Sequence, residues 1–203
     1  IMNNNKSINS NKKPIVGFIG QGYVGKHYAD NFKKRGFQTV RYSLEDEHMH
    51  NKKVIPSCDF VFVAVPTPTT PKGFDDSIIR SALSLIGKNK IAIIKSTLTP
   101  GTTEKLQMEF RNIFIFHSPE FLSERTAAHE VDHPNENIIG IPLSNKKRKE
   151  IAERIIKILP MSPYNLVCSS TEAEIIKYGH NCLGYTRIVF TNMLYDLADK
   201  LGC

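Results

Sequence analysis

Apolar runs alternate with amphipathic stretches along most of the chain. Ile15–Ile19 is an apolar run that predicts a first strand. Glycines follow, then a helical spacing of Val24, Tyr28, Ala29 and Phe32, which Gly36 brings to a stop. Residues 39–42 predict a second strand. Residues 60–65 are apolar at every position, as a strand covered on both faces is. A helix over 75–86, a strand at Ile91–Ile94, a short helix over 103–110 and a strand over 113–116 come next. Further along, the pattern predicts a strand near 137–141, a helix over 146–159 and a strand over 164–167. Such alternation specifies an α/β fold built on a doubly wound, mostly parallel sheet.

The last segment has a different rhythm. Thr171-Glu172-Ala173-Glu174 reads as a capping box. Apolar residues then recur at Ile175, Ile176, Leu183, Val189, Met193, Leu194, Leu197 and Leu201. This predicts a helix of roughly thirty residues, far beyond the mean of ~11–12. A long helix after a completed sheet reads as the start of a second, helical domain. The chain therefore divides into a disordered tail over 1–12, an α/β domain over 13–168, and the first helix of a truncated domain over 169–203. That helix exposes an apolar face unless a partner covers it.

Composition narrows the class. In 203 residues, 40% are hydrophobic and 23% charged, ordinary for a globular protein. No apolar run reaches the ~20 residues of a membrane span. The Asn-, Ser- and Lys-rich start is not a signal peptide, and Ile1 before Met2 suggests a cloning scar or a fragment boundary. Cys58, Cys168, Cys182 and Cys203 form no CxxC pair, which fits reduced thiols in a cytoplasmic protein. The formal charge of +7 raises nucleic acid as a partner, but the basic residues are scattered. The one run, Lys146-Lys147-Arg148-Lys149, reads as a solvated helix face. A chain that binds anionic small molecules explains the charge more simply.

The chemistry should sit beyond the carboxyl ends of the strands. After strand one comes Gly20-Gln21-Gly22-Tyr23-Val24-Gly25, a GxGxxG between a strand and a helix. Gly20 permits the turn, Gly22 lets the backbone approach a pyrophosphate, and Gly25 allows close packing of helix on strand. This is a Rossmann-like dinucleotide fingerprint, with Tyr23 and Val24 opening the helix. The ribose reader belongs at the end of strand two, where Ser43 stands instead of an acid. Glu45 and Asp46 lie close and can substitute for it. Arg41 with Ser43 can also accommodate a 2′-phosphate, so these residues leave NAD and NADP both open. Strand three ends in Val65-Pro66-Thr67, strand four in Lys95-Ser96-Thr97, and strand five in His117-Ser118-Pro119-Glu120-Phe121-Leu122-Ser123-Glu124. Three hydroxyl- and carboxylate-bearing ends along one edge point to a site rather than to capping turns.

The runs VAVPTPTTPKGFDDS, KSTLTPGTT and SPEFLSE, with a helix carrying Lys177 and Asn181, resemble the UDP-glucose dehydrogenases and their GDP-mannose and UDP-N-acetylmannosamine relatives. The resemblance covers Lys13 to Cys203. It implies oxidation of a nucleotide-sugar C6 alcohol to a carboxylate in two hydride transfers to NAD, through a cysteine-bound intermediate. By the same resemblance, Thr97 and Glu124 position the hydrolytic water and also flank the cofactor. Glu120 is a candidate acid/base, Glu120 to Ser123 face the substrate, and Lys177 and Asn181 stabilise charge on its oxygen. Lys177 and Asn181 are one turn apart, hence on one helix face, as an oxyanion site requires. The family's cysteine lies some fifty residues past the Asn, in a Gly-Gly-x-Cys loop beyond this sequence. The expectation is thus a fragment that binds cofactor without turnover, and a homodimer when full length. Cys182 reads as packing.

His129-Glu130-Val131-Asp132-His133 matches the zinc motif HExxH. Asp132 within it and Pro134 after it argue for a connecting loop, so no metal is expected. Two rival readings stay open: a β-hydroxyacid dehydrogenase and a non-catalytic dinucleotide-binding module.

Overall fold

The computed structural model describes residues 13–203, so the expected tail over 1–12 lies outside the described residues. Strand β1 (Ile15–Ile19) leads into helix α1 (Tyr23–Lys34) and then β2 (Gln38–Tyr42). A short helix α2 (Asp46–Met49) and two 3-10 turns (His50–Lys53, Ile55–Ser57) precede β3 (Phe60–Val63). A small hairpin, β4 (Thr69–Thr70) with β5 (Gly73–Phe74), precedes α3 (Ser77–Leu83). Then follow β6 (Ile91–Ile94), α4 (Thr102–Glu109), β7 (Phe114–His117), α5 (Ala127–Asp132), β8 (Glu136–Ile141), α6 (Lys146–Ile158), β9 (Tyr164–Ser169) and α7 (Ser170–Lys200).

The main sheet has seven strands in the order β2-β1-β3-β6-β7-β8-β9. Its first five strands are parallel; β8 runs antiparallel to β7, and β9 is parallel to β8. The order reverses between β1 and β3, and such a switch point opens a crevice beyond the strand ends. Alternate strand residues feed two cores. Val16, Phe18, Phe60, Phe62 and Phe116 face α1 and α6, whereas Ile19, Val61, Val63, Ala92 and Ile94 face α3 and α4. Phe18 stacks on Phe62 with ring centroids 5.2 Å apart. Burying these four rings is worth on the order of 10 kcal/mol before entropy is counted.

Several expectations need correction. The capping box at the start of α7 is formed by Ser169 and Glu172, not by Thr171 and Glu174. Glu172 Oε2 accepts from Ser169 N at 2.8 Å, and Ser169 Oγ accepts from Glu172 N at 3.2 Å. Glu174 is fully buried instead. It reaches the start of α4, accepting from Gly101 N (2.6 Å), Thr103 N (2.8 Å) and Thr103 Oγ1 (2.6 Å). The HExxH segment is largely the short helix α5, not a loop. Glu130 accepts from Ser123 N and Thr126 Oγ1, and Asp132 from Asn31 and Lys34. Glu130 thus ties the preceding segment, and Asp132 ties α5 to α1. Cys182 is exposed rather than packed. The basic run is not solvated throughout, since Arg148 donates to Gln107 Oε1 at 2.6 Å.

Helix α7 has 31 residues, roughly 46 Å at 1.5 Å per residue. Ser170, Ala173 and Glu174 are its buried residues, and Ala173 packs against Gly140, where any Cβ would come within 2.8 Å of it. Leu183, Ile188, Phe190, Met193 and Leu201 stand between 60% and 70% exposed, so its apolar face is unpartnered among the described residues. No helix of the described residues is long and apolar enough to cross a membrane.

Candidate functional site

At the switch point the chain forms a cleft of about 430 Å³. Its floor is the glycine turn from Gly20 to Val24. One wall is Ala64 to Thr67 after β3; the other is Lys95 to Thr97 after β6, with Glu120 and Lys177 at the far end. The turn is conformationally demanding. Gly20 has φ +89°, and a Cβ there would lie 2.1 Å from Ala64 O. A Cβ on Gly25 would lie 2.0 Å from Gly20 O, which lets α1 sit tight against β1. At Gly22 nothing lies within 4 Å of a would-be Cβ. The backbone there is open to the cleft at the start of α1. That start has no side-chain cap and no acid in its first turn, so its N–H groups face outward as an anion site. Buried, unpartnered oxygens on Gln21 (Oε1) and Ser43 (Oγ) flank the turn. These features fit a dinucleotide.

The walls are fixed by cross-links between strand ends. Ser96 Oγ accepts from Val65 N at 2.9 Å and donates to Val65 O at 2.7 Å. Thr67 Oγ1 donates to Thr97 O at 2.9 Å. Val65, Pro66, Thr67 and Thr97 thus line one continuous edge, as the strand-end pattern implied.

Sequence reasoning named Lys95 only as part of a run and gave it no role. Its side chain is 3% exposed, and Nζ donates to Tyr28 OH, Ser118 Oγ and Glu120 Oε2, each at 3.1 Å. Every donor of the ammonium is used. Burial pulls the Lys95 pKa down, while the Glu120 carboxylate pulls it back up. Burial and that same carboxylate push the Tyr28 hydroxyl well above its ordinary value. Glu120 Oε1 accepts from Phe121 N at 3.0 Å, so both carboxylate oxygens are held. A signal was present: a lysine directly after a fully buried strand needs a polar partner near by.

Lys177, half-buried on α7, reaches the same end of the cleft. Its ammonium lies 5.2 Å from the Phe121 ring centroid, and burial lowers its pKa against the pull of Glu120. Phe121 also meets His180 edge-on at 5.1 Å. The remaining candidates are not brought together. Asn181 is exposed one turn beyond Lys177, Leu122 packs toward the core, Ser123 N is tied to Glu130, and Glu124 is exposed outside the cleft lining.

His117, buried at the end of β7, has Nδ1 3.2 Å from Ile94 O and no partner for Nε2. Burial, with Lys95 and Lys177 near by, lowers its pKa to about 3. The unfolded chain binds this proton below pH ~6.5 and the folded chain only near 3, so acid favours unfolding across that window. Between pH 6.5 and 4.5 the loss is about 2–3 kcal/mol at most. Chemical denaturation at the two pH values checks this; His117→Gln should flatten the dependence.

The sequence model for the "UDP-glucose/GDP-mannose dehydrogenase family, NAD binding domain" matches residues 42–159. A UDP-glucose 6-dehydrogenase of Rickettsia bellii is 30% identical over 158 residues, covering 73% of this chain and 36% of the relative. An uncharacterised protein of Methanocaldococcus jannaschii is 28% identical over 92% of this chain and 25% of its own length. Among solved structures, a UDP-D-ManNAc dehydrogenase from Pyrococcus horikoshii superposes with a TM-score of 0.80, at 21% identity, over 93% of this chain and 55% of that one. The chain spans between 25% and 52% of the length of such curated relatives. With its glycine turn, its doubly wound sheet and the matched residues 42–159, the chain belongs to the UDP-glucose/GDP-mannose dehydrogenase family and carries that family's NAD-binding domain.

Proposed function

We propose that this chain is the cofactor-binding part of a nucleotide-sugar dehydrogenase of the UDP-glucose type, which oxidises the sugar C6 alcohol to a carboxylate in two steps. The observation that carries the reading is the convergence of Glu120 and Lys177 on the cleft that holds the glycine turn and Thr97. NAD, when bound, accepts the hydride. The residues of this chain do the rest. Lys177 places a cation where negative charge develops on the substrate oxygen. Burial lowers its pKa, which eases release of a proton from the ammonium. Glu120, held by Lys95 and the Phe121 amide, is the acid/base. Thr97 orients the water of the hydrolytic step. Glu124 joins it only if the loop over 121–126 folds inward. Asn181 adds an amide donor once substrate covers its face of α7. No cysteine lines the cleft among the described residues, so the thiol of a covalent step must come from elsewhere in the enzyme.

Residues 13–168 are the cofactor domain in this reading, and α7 opens a helical domain through which two copies pair. Light scattering should show self-association of the chain through its exposed apolar face; a clean monomer at high concentration argues against it.

The reaction is tested by following NADH formation in the protein carrying this chain, with UDP-glucose, GDP-mannose and UDP-N-acetylmannosamine offered in turn. Two NADH per sugar are expected with one of them. Lys177→Ala should lower kcat by about 10²–10³-fold with little change in NAD binding. One NADH per substrate, with a hydroxy acid and no sugar, points to the hydroxyacid dehydrogenase reading instead.

A further inference from the structure

We propose that Lys95 is a positioning residue of this site: it pins the Glu120 carboxylate in the cleft and, by pairing with it, keeps Lys177 free for the substrate oxygen. The inference deepens the dehydrogenase reading of Glu120 and Lys177 and rests on it. Both groups sit at one end of the same cleft, where a carboxylate and an ammonium attract each other. A direct pair between them would occupy both. Here the carboxylate is taken by another cation. Lys95 Nζ lies 3.1 Å from Glu120 Oε2, with the two side chains 3% and 13% exposed. Lys177 stands over the Phe121 ring instead and carries no ion pair among the described residues.

The hold on Lys95 is built from three directions. Its backbone N donates to Val63 O at 2.8 Å, which fixes the end of β6 against β3. Tyr28 OH on α1 and Ser118 Oγ after β7 each accept from Nζ at 3.1 Å, and Ser118 N donates to Ile94 O at 2.9 Å. The ammonium also lies 4.4 Å from the Tyr28 ring centroid, and that ring stacks on Phe62 at 6.0 Å. Burial and the Glu120 carboxylate keep Tyr28 a neutral phenol, so it anchors the lysine without adding a second anion. With three donors spent on the protein, Lys95 has none left for a ligand. Stability alone does not call for a lysine here, since well-packed apolar residues often replace a buried ion pair without loss. What the pair supplies is a fixed carboxylate.

Steady-state kinetics of the protein carrying this chain, with the sugar that yields NADH, test this. Lys95→Met should lower kcat by about 10- to 100-fold, because a carboxylate that swings toward Lys177 misplaces both groups. The KM for the sugar and the NAD affinity should change by at most about twofold, since Lys95 touches neither ligand. In a Glu120→Gln background the same substitution should cost no further kcat, since Lys95 acts through that carboxylate. Tyr28→Phe removes one anchor and no charge, so the fold tolerates it. It should lower kcat about two- to fivefold, again only when Glu120 is present. Full kcat in Lys95→Met overturns the proposal, as does a loss that persists in the Glu120→Gln background. If Lys95→Met does not fold, Tyr28→Phe with and without Glu120→Gln decides by the same criterion. A wild type that forms no NADH with any of the three sugars overturns the dehydrogenase reading, and this inference with it.

Discussion

Replacing Gly22 by alanine should weaken NAD binding by about a hundredfold or more while leaving the fold intact. A Cβ at Gly22 meets no protein atom within 4 Å, and the residue has φ −64°, which alanine adopts freely. The added methyl occupies space that only a ligand needs. It stands where the pyrophosphate approaches the first N–H groups of α1. The helix loses at most about 1 kcal/mol of capping, a few degrees in Tm for a chain of this size. Gly20→Ala is the contrast. Its methyl would strike Ala64 O at 2.1 Å in a left-handed backbone, so stability falls together with binding. Calorimetry with NAD beside thermal melts of both variants separates the two effects. Full NAD affinity in Gly22→Ala would remove the pyrophosphate from this turn.

The second large effect is expected at Glu174. Glu174→Ala should cost about 3–5 kcal/mol and lower Tm by roughly 6–20 °C. The carboxylate is buried and accepts three hydrogen bonds of 2.6 to 2.8 Å from Gly101 and Thr103. Helix α4 begins at Gly101, which has φ +86° and no side chain with which to cap it. Glu174 supplies that cap from another helix and sets an anion against the positive end of α4. Without it, two backbone donors and a hydroxyl are left buried and unpaired. Lys177 lies one turn further along α7, so the same loss loosens its hold on the cleft. Glu174→Gln keeps the volume but brings two donors to a place that needs acceptors, and should fall between wild type and alanine. Melting curves of the three proteins give the order; an alanine variant as stable as wild type would refute the cap.

Much of this was legible from local pattern. Buried strands betray themselves by unbroken apolar runs, and GxGxxG between a strand and a helix states its own geometry. Long-range choices were not legible. Ser169-x-x-Glu172 and Thr171-x-x-Glu174 both match a capping box, and the chain uses the first because α4 needs Glu174. The antiparallel entry of β8 is likewise set by tertiary packing, since an apolar strand reads the same in either direction. At the site, Val65, Pro66, Thr67, Thr97 and Glu120 line the cleft, whereas Ser43, Leu122, Ser123 and Glu124 lie outside its lining. Lys95 was missed as a site residue because its three partners come from α1 and the segment after β7, and no spacing joins them. Arg41 and Ser43 were seen, but the hold of Asp30 on Arg41 crosses from helix to strand and is visible only in the fold.

The most direct test of the account is an amide NMR titration of the chain with NAD. Shifts should concentrate at Gly20, Gly22, Val65, Ser96 and Thr97, with the opposite sheet edge at Lys13, Asp59 and Arg154 unmoved. Shifts confined to that opposite edge, or a spectrum indifferent to NAD, would contradict it.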